Sequence, residues 1–392
     1  MNKKQIAVIF PGQFPGKSGD TSNYSEILNQ LVAEGFQVLL ICPKVNTSDD
    51  KIIGISKEVE VIRVPYLPPR LKEIGDGLKL KHYLQFLVFL LVEGFVVFRT
   101  LGRKKIKYAF VRHEPLTIQL PLIFKILKVK TIADGAFVSD LLKDQINSKI
   151  LMLLRRYEKK IIRCYTYFWV PTNSHAEIML RSGFPKERIL VIPVSINTSK
   201  IPKFPLDKIP EHTFGYFGVI EKWQGVDILV NAFELLLKRI PNAILYILGE
   251  GSLKHKVKED VIRKNLSGSV IFDSVSREVL LNDYLKKFQI VVIPRPKQGD
   301  AVDGLVPIKL IESLAAGKPT IVMDIPSMRE ISNNAIVVVH SSEPESLAME
   351  MENLSLDANK MKAYAEAASD ISQHYDIERN MKKIINTLTS ID

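Results

Sequence analysis

The sequence predicts an α/β fold built from two successive doubly wound parallel domains, and three observations lead there. Short β-rich runs alternate with helical stretches along the whole chain, a pattern that means parallel strands joined by crossover helices. The alternation breaks at 201-IPKFPLDKIPEH-212, where three prolines read as an extended linker. At 392 residues the chain is also too long for one ordinary hydrophobic core.

In the first half the runs 6-IAVIF-10, 37-QVLLICP-43, 59-VEVIRVP-65 and 108-YAFVRH-113 read as strands. A second series follows the prolines: 214-FGYFGV-219, 244-ILYILG-249, 269-SVIFD-273, 290-IVVIP-294 and 320-TIVMD-324. The domains are expected over residues 1–199 and 200–371, facing each other across a cleft, with a last helix over 372–392 packing back on the first.

Composition narrows the class of function. Residues 1–200 hold 31 Lys and Arg against 17 Asp and Glu, and residues 201–392 hold 23 against 26, so charges of +14 and −3 fall on the two halves. A one-sided positive field suits an anionic partner, either a membrane surface or nucleic acid, or more blandly a basic surface kept for solubility. Nucleic acid is disfavoured, because the basic half has no recognisable reading module and its aromatics lie in apolar runs. Residues 83-YLQFLVFLLVEGFVVF-98 are nearly all apolar and flanked by Lys79, Lys81, Arg99, Arg103, Lys104 and Lys105. These 16 residues, interrupted by Glu93 and Gly94, fall short of the roughly 20 that cross a bilayer. They predict either a core helix or one lying in a membrane plane. Cys42 and Cys164 are too few for a disulfide framework, and the opening MNKKQ carries no signal-peptide core, so a cytoplasmic protein is expected.

The glycine-rich stretch 10-FPGQFPGKSGD-20 invites comparison with a P-loop, which needs four residues between its first glycine and the Gly-Lys pair. Gly12 and Gly16-Lys17-Ser18 are separated by three, Pro15 removes an N–H, and the next helical pattern starts only near Ser22 and Asn23. The stretch therefore reads as a strand-to-helix connection, which still places N–H groups where open α/β sheets bind ligands. More informative is 304-GLVPIKLIESLAAGKPTIVMD-324. Pro307 is expected to open a helix that Gly317 and Pro319 close. Lys309 and Glu312 share one face near its positive end, an arrangement suited to a diphosphate and a ribose diol or, more blandly, a surface ion pair.

At this point the sequence resembles a known family. Gly317-Lys318-Pro319 after the small-residue run, with 214-FGYFGVIEKWQGVDILVNAF-233 and 244-ILYILGEGSLK-254, is similar to the donor-binding domain of family 4 glycosyltransferases of the GT-B fold. The segments 113-HEPLT-117, 172-TNSHAEIML-180 and 189-ILVIPVSIN-197 extend the resemblance over nearly the whole chain. It implies two Rossmann-like domains and transfer from a nucleotide-diphosphate sugar with retention. It makes Glu312 the ribose-binding carboxylate and Gly12 and Gly16 the loop facing the diphosphate. His113 is placed beside the transferred sugar, and Glu250, Gly251, Val275 and Ser276 near the nucleobase. The family's glutamate eight residues before Glu312 is Gly304, with Asp303 adjacent; its arginine after Gly218 is Val219 and its lysine before the next glycine is Gln224. Lys222, Lys309 and Arg295 are then left to supply positive charge, with His113 and Lys309 as the catalytic pair.

No metal and no cofactor beyond the donor are expected, since the chain has no Asp-x-Asp triplet and departing diphosphate charge can be met by Lys309 and its helix. The acceptor is expected to be lipid-linked or a cell-surface glycan precursor. Two alternatives stay open: a degenerate binder without turnover, suggested by Val219, Gln224 and Gly304, and a sugar-nucleotide epimerase using Glu114 and Asp134.

Overall fold

The computed structural model describes residues 4–12, 14, 19–44, 54–65, 80–135, 148–297, 303, 306–331 and 334–390. The chain divides into two compact units, Met1–Pro193 with Ile377–Asp392 and Val194–Asp376.

In the first unit the order is β1 (Gln5–Ile9), α1 (Gly19–Ala33), β2 (Gln37–Pro43), β3 (Glu60–Val64), α2 (Leu80–Lys104) and β4 (Tyr108–His113), followed by α3 (Leu120–Leu127), β5 (Lys130–Gly135), α4 (Ser148–Ile161), β6 (Tyr167–Val170), α5 (Asn173–Arg181) and β7 (Ile189–Val191). In the second it is β8 (Thr213–Phe217), α6 (Val226–Leu237), β9 (Ile244–Leu248), α7 (Lys254–Arg263), β10 (Val270–Asp273) and β11 (Ile290–Ile293), then α8 (Ile308–Ala315), β12 (Thr320–Met323), β13 (Val337–Val339), α9 (Pro344–Leu356) and α10 (Ala358–Ser372). The last helix, α11 (Ile377–Thr389), belongs to the first unit.

Both sheets are parallel, with strand orders β3-β2-β1-β4-β5-β6-β7 and β10-β9-β8-β11-β12-β13. Each half's first strand thus lies inside its sheet, and the direction in which strands are added reverses between β1 and β4 and between β8 and β11. The carboxyl ends of strands at such a switch point are where doubly wound sheets bind ligands.

The strands are near-continuous apolar runs because both faces are covered. Along β1, Ile6 and Val8 enter one core with Val38 and Leu40, whereas Ala7 and Ile9 enter another with Leu39 and Ile41. The first face is closed by Tyr24, Ile27, Leu28 and Leu31 of α1 with Ile377, Met381, Ile384 and Leu388 of α11. Phe89, Val97 and Leu101 of α2 and Phe124 of α3 close the second. In the second unit Ile290 and Val292 face one core, Val291 and Ile293 the other.

Three expectations are corrected. Residues 201–212 are not a linker between halves but lie inside the second unit. Ile201 and Ile209 are buried there, and Gln289 Nε2 donates to the carbonyls of Leu206 and Ile209 at 3.3 and 3.4 Å. Helix α1 starts at Gly19, before the expected Ser22. Pro307 precedes α8 as its cap residue, with extended φ −66° and ψ 136°, rather than opening it as the first helical residue.

Candidate functional site

The carboxyl ends of β8 and β9 come together through glycines. Gly218 has φ +125°, and a Cβ there would stand 2.9 Å from Lys309 Nζ. Gly249 has φ +151°, and its Cβ would stand 1.9 Å from the Gly218 carbonyl oxygen. Only glycine allows both the conformation and the approach, and the result is a bare backbone rim beside Lys309.

Lys309 sits in the first turn of α8, where free N–H groups and the helix dipole favour an anion. Its Nζ donates to Gln224 Oε1 at 2.8 Å and to the Tyr216 hydroxyl at 3.2 Å, and lies 4.3 Å from the Tyr216 ring centroid. These partners are neutral, and no carboxylate among the described residues pairs with it. Burial, and then the nearby Arg295 guanidinium, lower its pKa to about 7 against a partial counter-effect from Glu312. One turn on, Glu312 is 6% exposed and accepts from Arg277 Nε at 2.8 Å. Burial raises its pKa, and Arg277 opposes that rise. Lys309 and Glu312 are thus not a surface ion pair: Lys309 is half-buried and Glu312 buried, each with its own partner.

The remaining second-unit candidates are placed as follows. Arg295, just past β11, is 4% exposed, its pKa lowered to about 10 by burial, with buried Asp303 opposing. Lys222 is exposed in a one-turn helix, Lys222–Gln224, that ends at Gly225. Glu250 is exposed and accepts from Lys254 Nζ at 2.6 Å and from Ser274 Oγ. A Cβ on Gly251 would stand 2.2 Å from the Ile220 carbonyl oxygen. Val275 is half-buried, and Ser276 accepts from the Val279 N–H at 3.3 Å, capping the turn that carries Arg277. Gly304 lies outside the described residues.

Sequence reasoning missed Arg277 and Tyr216, and treated Gln224 as a loss when it is a direct partner of Lys309. The one local signal for Arg277 was its place after a capping serine at the end of a strand. Nothing in the sequence placed it beside a glutamate 35 positions later.

In the first unit, Gly12 follows β1, and Gly16 and Lys17 lie outside the described residues. Arg63 Nη1 donates to the Phe14 carbonyl at 2.5 Å and the Pro43 carbonyl at 3.2 Å, pinning the connection after β1. His113 ends β4 but is fully buried: Nδ1 lies 3.1 Å from the Tyr165 hydroxyl and Nε2 3.2 Å from Glu158 Oε1. Both ring nitrogens are engaged inside the unit, so the ring offers neither to a substrate in this arrangement. Glu114 and Asp134 are each held by Arg112, at 3.1 and 3.0 Å, and Asp134 also accepts from the Tyr24 hydroxyl. Carboxylates tied in this way are not an available acid/base pair.

Residues 199–370 match the family described as glycosyl transferases group 1. An uncharacterised glycosyltransferase of Methanocaldococcus jannaschii is 26% identical over 186 residues, 43% of this chain and 44% of that protein. The chain thus spans less than half the length of this curated relative. Among solved structures, sucrose-phosphate synthase of Thermosynechococcus elongatus superposes with a TM-score of 0.77 at 16% identity, covering 99% of both chains. The Anabaena protein HepE in complex with UDP does so with 0.74 at 14% identity, covering 99% of this chain and all of that one. The fold is GT-B, two Rossmann-like units in one chain.

Proposed function

We propose that the protein is a glycosyltransferase that moves a sugar from a nucleotide-diphosphate donor, with retention, to a lipid-linked acceptor or cell-surface glycan precursor on the cytoplasmic face of a membrane. The observation that carries the reading is Lys309: a half-buried cation with neutral partners, in the first turn of α8 and one turn before a buried carboxylate. The match of residues 199–370 to group 1 glycosyl transferases and the UDP held by the Anabaena neighbour support it.

In this reading Lys309 and the free N–H groups of α8 meet the charge that builds on the departing diphosphate, an effect larger in the transition state than in the ground state. Glu312 accepts from the ribose hydroxyls, for which Arg277 Nε stands in when no nucleotide is bound. Arg295, Asp303 and Lys222 shape the same end of the sheet. Glu250, Gly251, Val275 and Ser276 border the base, and no metal takes part.

The test is thermal stabilisation by a panel of nucleoside diphosphates and nucleotide sugars, because a ligand that binds only the folded state raises the melting temperature. One nucleotide is expected to shift the wild type and not Glu312→Ala. No shift with any of them at about a thousand times a micromolar Kd would replace the enzyme reading with a binder that has lost its donor.

A further inference from the structure

Helix α2 is apolar on two sides. Its inner side, Phe89, Val97 and Leu101, packs on the sheet. Its outer side carries Leu84, Leu87, Leu91, Phe95 and Phe98, which are 61%, 53%, 65%, 62% and 45% exposed. Steps of three and four residues put these five on one stripe. Glu93, the carboxylate within the run, does not interrupt it: it is 1% exposed and accepts from Gln119 Nε2 at 2.7 Å, so it points into the unit.

The neighbouring helices extend the face. Ile123 of α3 packs against Gly94, and α3 leaves Leu122 and Ile126 exposed at 41% and 69%. Leu90 of α2 and Leu154 of α4 both pack on the buried pair Ile118 and Ile161, and α4 leaves Met152 and Leu153 exposed at 57% and 66%. Apolar patches of this extent on soluble proteins mark interaction sites.

Charge identifies the partner. At the carboxyl ends of α2 and α3 a cavity of about 510 Å³ is lined by Lys105, Lys107, Lys128 and Lys130, and α4 exposes Arg155 and Arg156. A stripe of leucine and phenylalanine bordered by lysine and arginine matches acyl chains below anionic headgroups. Leu84–Lys104 is long and apolar enough to cross a bilayer, with mean hydropathy 1.9. Its inner side is committed to the sheet, however, which leaves an in-plane placement.

We propose that this face docks the first unit on an anionic phospholipid bilayer, with α2 in the interface plane, its outer stripe among the acyl chains and the lysines on the headgroup phosphates. The inference deepens the membrane part of the functional reading and does not depend on the donor chemistry.

Flotation of the full chain with phosphatidylcholine vesicles, with and without phosphatidylglycerol, tests it. The wild type is expected to float with the anionic vesicles, and less as salt is raised. The Leu91→Glu/Phe95→Glu variant is expected to lose at least about tenfold in partitioning while keeping its melting temperature and its nucleotide shift. Lys105→Glu/Lys128→Glu is expected to abolish the preference for phosphatidylglycerol, a second readout should the first variant misfold. Wild type that floats with neither vesicle overturns the proposal. So does a wild-type dimer in sedimentation that Leu91→Glu/Phe95→Glu turns to monomer, since the stripe is then a protein interface.

Discussion

The two units share one architecture and treat the polar groups at their strand ends in opposite ways. In the first, His113, Glu158, Tyr165, Arg112, Glu114, Asp134 and Tyr24 satisfy one another. In the second, the half-buried Lys309 rests against an amide and a phenol. A partly desolvated cation without a carboxylate is a cost to the fold that an anionic ligand would relieve. The strand ends of one Rossmann-like unit thus hold a mutually satisfied polar network, whereas those of the other leave a lysine with neutral partners only, as the proposed diphosphate site requires.

The strongest test of this contrast is Lys309→Met. It is expected to lower kcat by about 10²–10³-fold, the usual loss on removing one transition-state donor, while the melting temperature stays equal or rises because a desolvated charge is gone. Near-wild-type turnover with the donor found by thermal shift would put the leaving-group charge elsewhere.

Glu312→Ala comes next. It is expected to weaken nucleoside diphosphate binding by about 10- to 100-fold in calorimetric titration, the scale of one lost charge-assisted hydrogen bond. Arg277→Met, which frees Glu312, is expected to tighten or preserve binding; a loss equal to that of Glu312→Ala would make Arg277 part of the site.

The pH dependence follows from the lowered pKa of Lys309, about 7. Only the charged form attracts a diphosphate, so affinity is expected to fall as pH rises above about 7, by up to about tenfold per unit. Stability has the opposite sign. Because the unfolded lysine titrates near 10.5 and the folded one near 7, the unfolded state binds more protons between them, and this group's contribution makes folding more favourable as pH rises across that window. Lys309→Met is expected to flatten both profiles.

The smallest expected effect is His113→Gln. It is expected to cost about 1–3 kcal/mol of stability by leaving Glu158 or Tyr165 without its buried partner, with turnover per folded molecule within about threefold, a change of under 1 kcal/mol in barrier. A collapse of turnover at unchanged melting temperature would give the ring the catalytic place that the family resemblance implies.

Much of this was legible in one dimension. The strands β1, β2, β4, β9 and β11 are apolar runs bounded by turn residues, and a parallel strand buried on both faces needs little else. The short strands β5, β6 and β13 were missed, because three to six residues after a helix carry too little pattern. The glycines at 218 and 249 were visible, but not that the first makes room for the Lys309 ammonium and the second for the Gly218 carbonyl. The run 83–98 was recognisably apolar, yet which side of it faced the sheet depended on Glu93 finding Gln119.

Taken alone, the sequence determined two alternating α/β halves, a basic first half and the helix that carries Lys309 and Glu312. Periodicity, net charge and capping residues act over a few positions and survive in a string of letters. Only the tertiary structure decided that Arg277 rather than Lys309 holds Glu312, that Lys309 leans on Tyr216 and Gln224, that His113 is enclosed, and that α2 keeps an apolar side outward. Those outcomes depend on which side chains meet after distant strands align, and burial then sets the charge each one can hold.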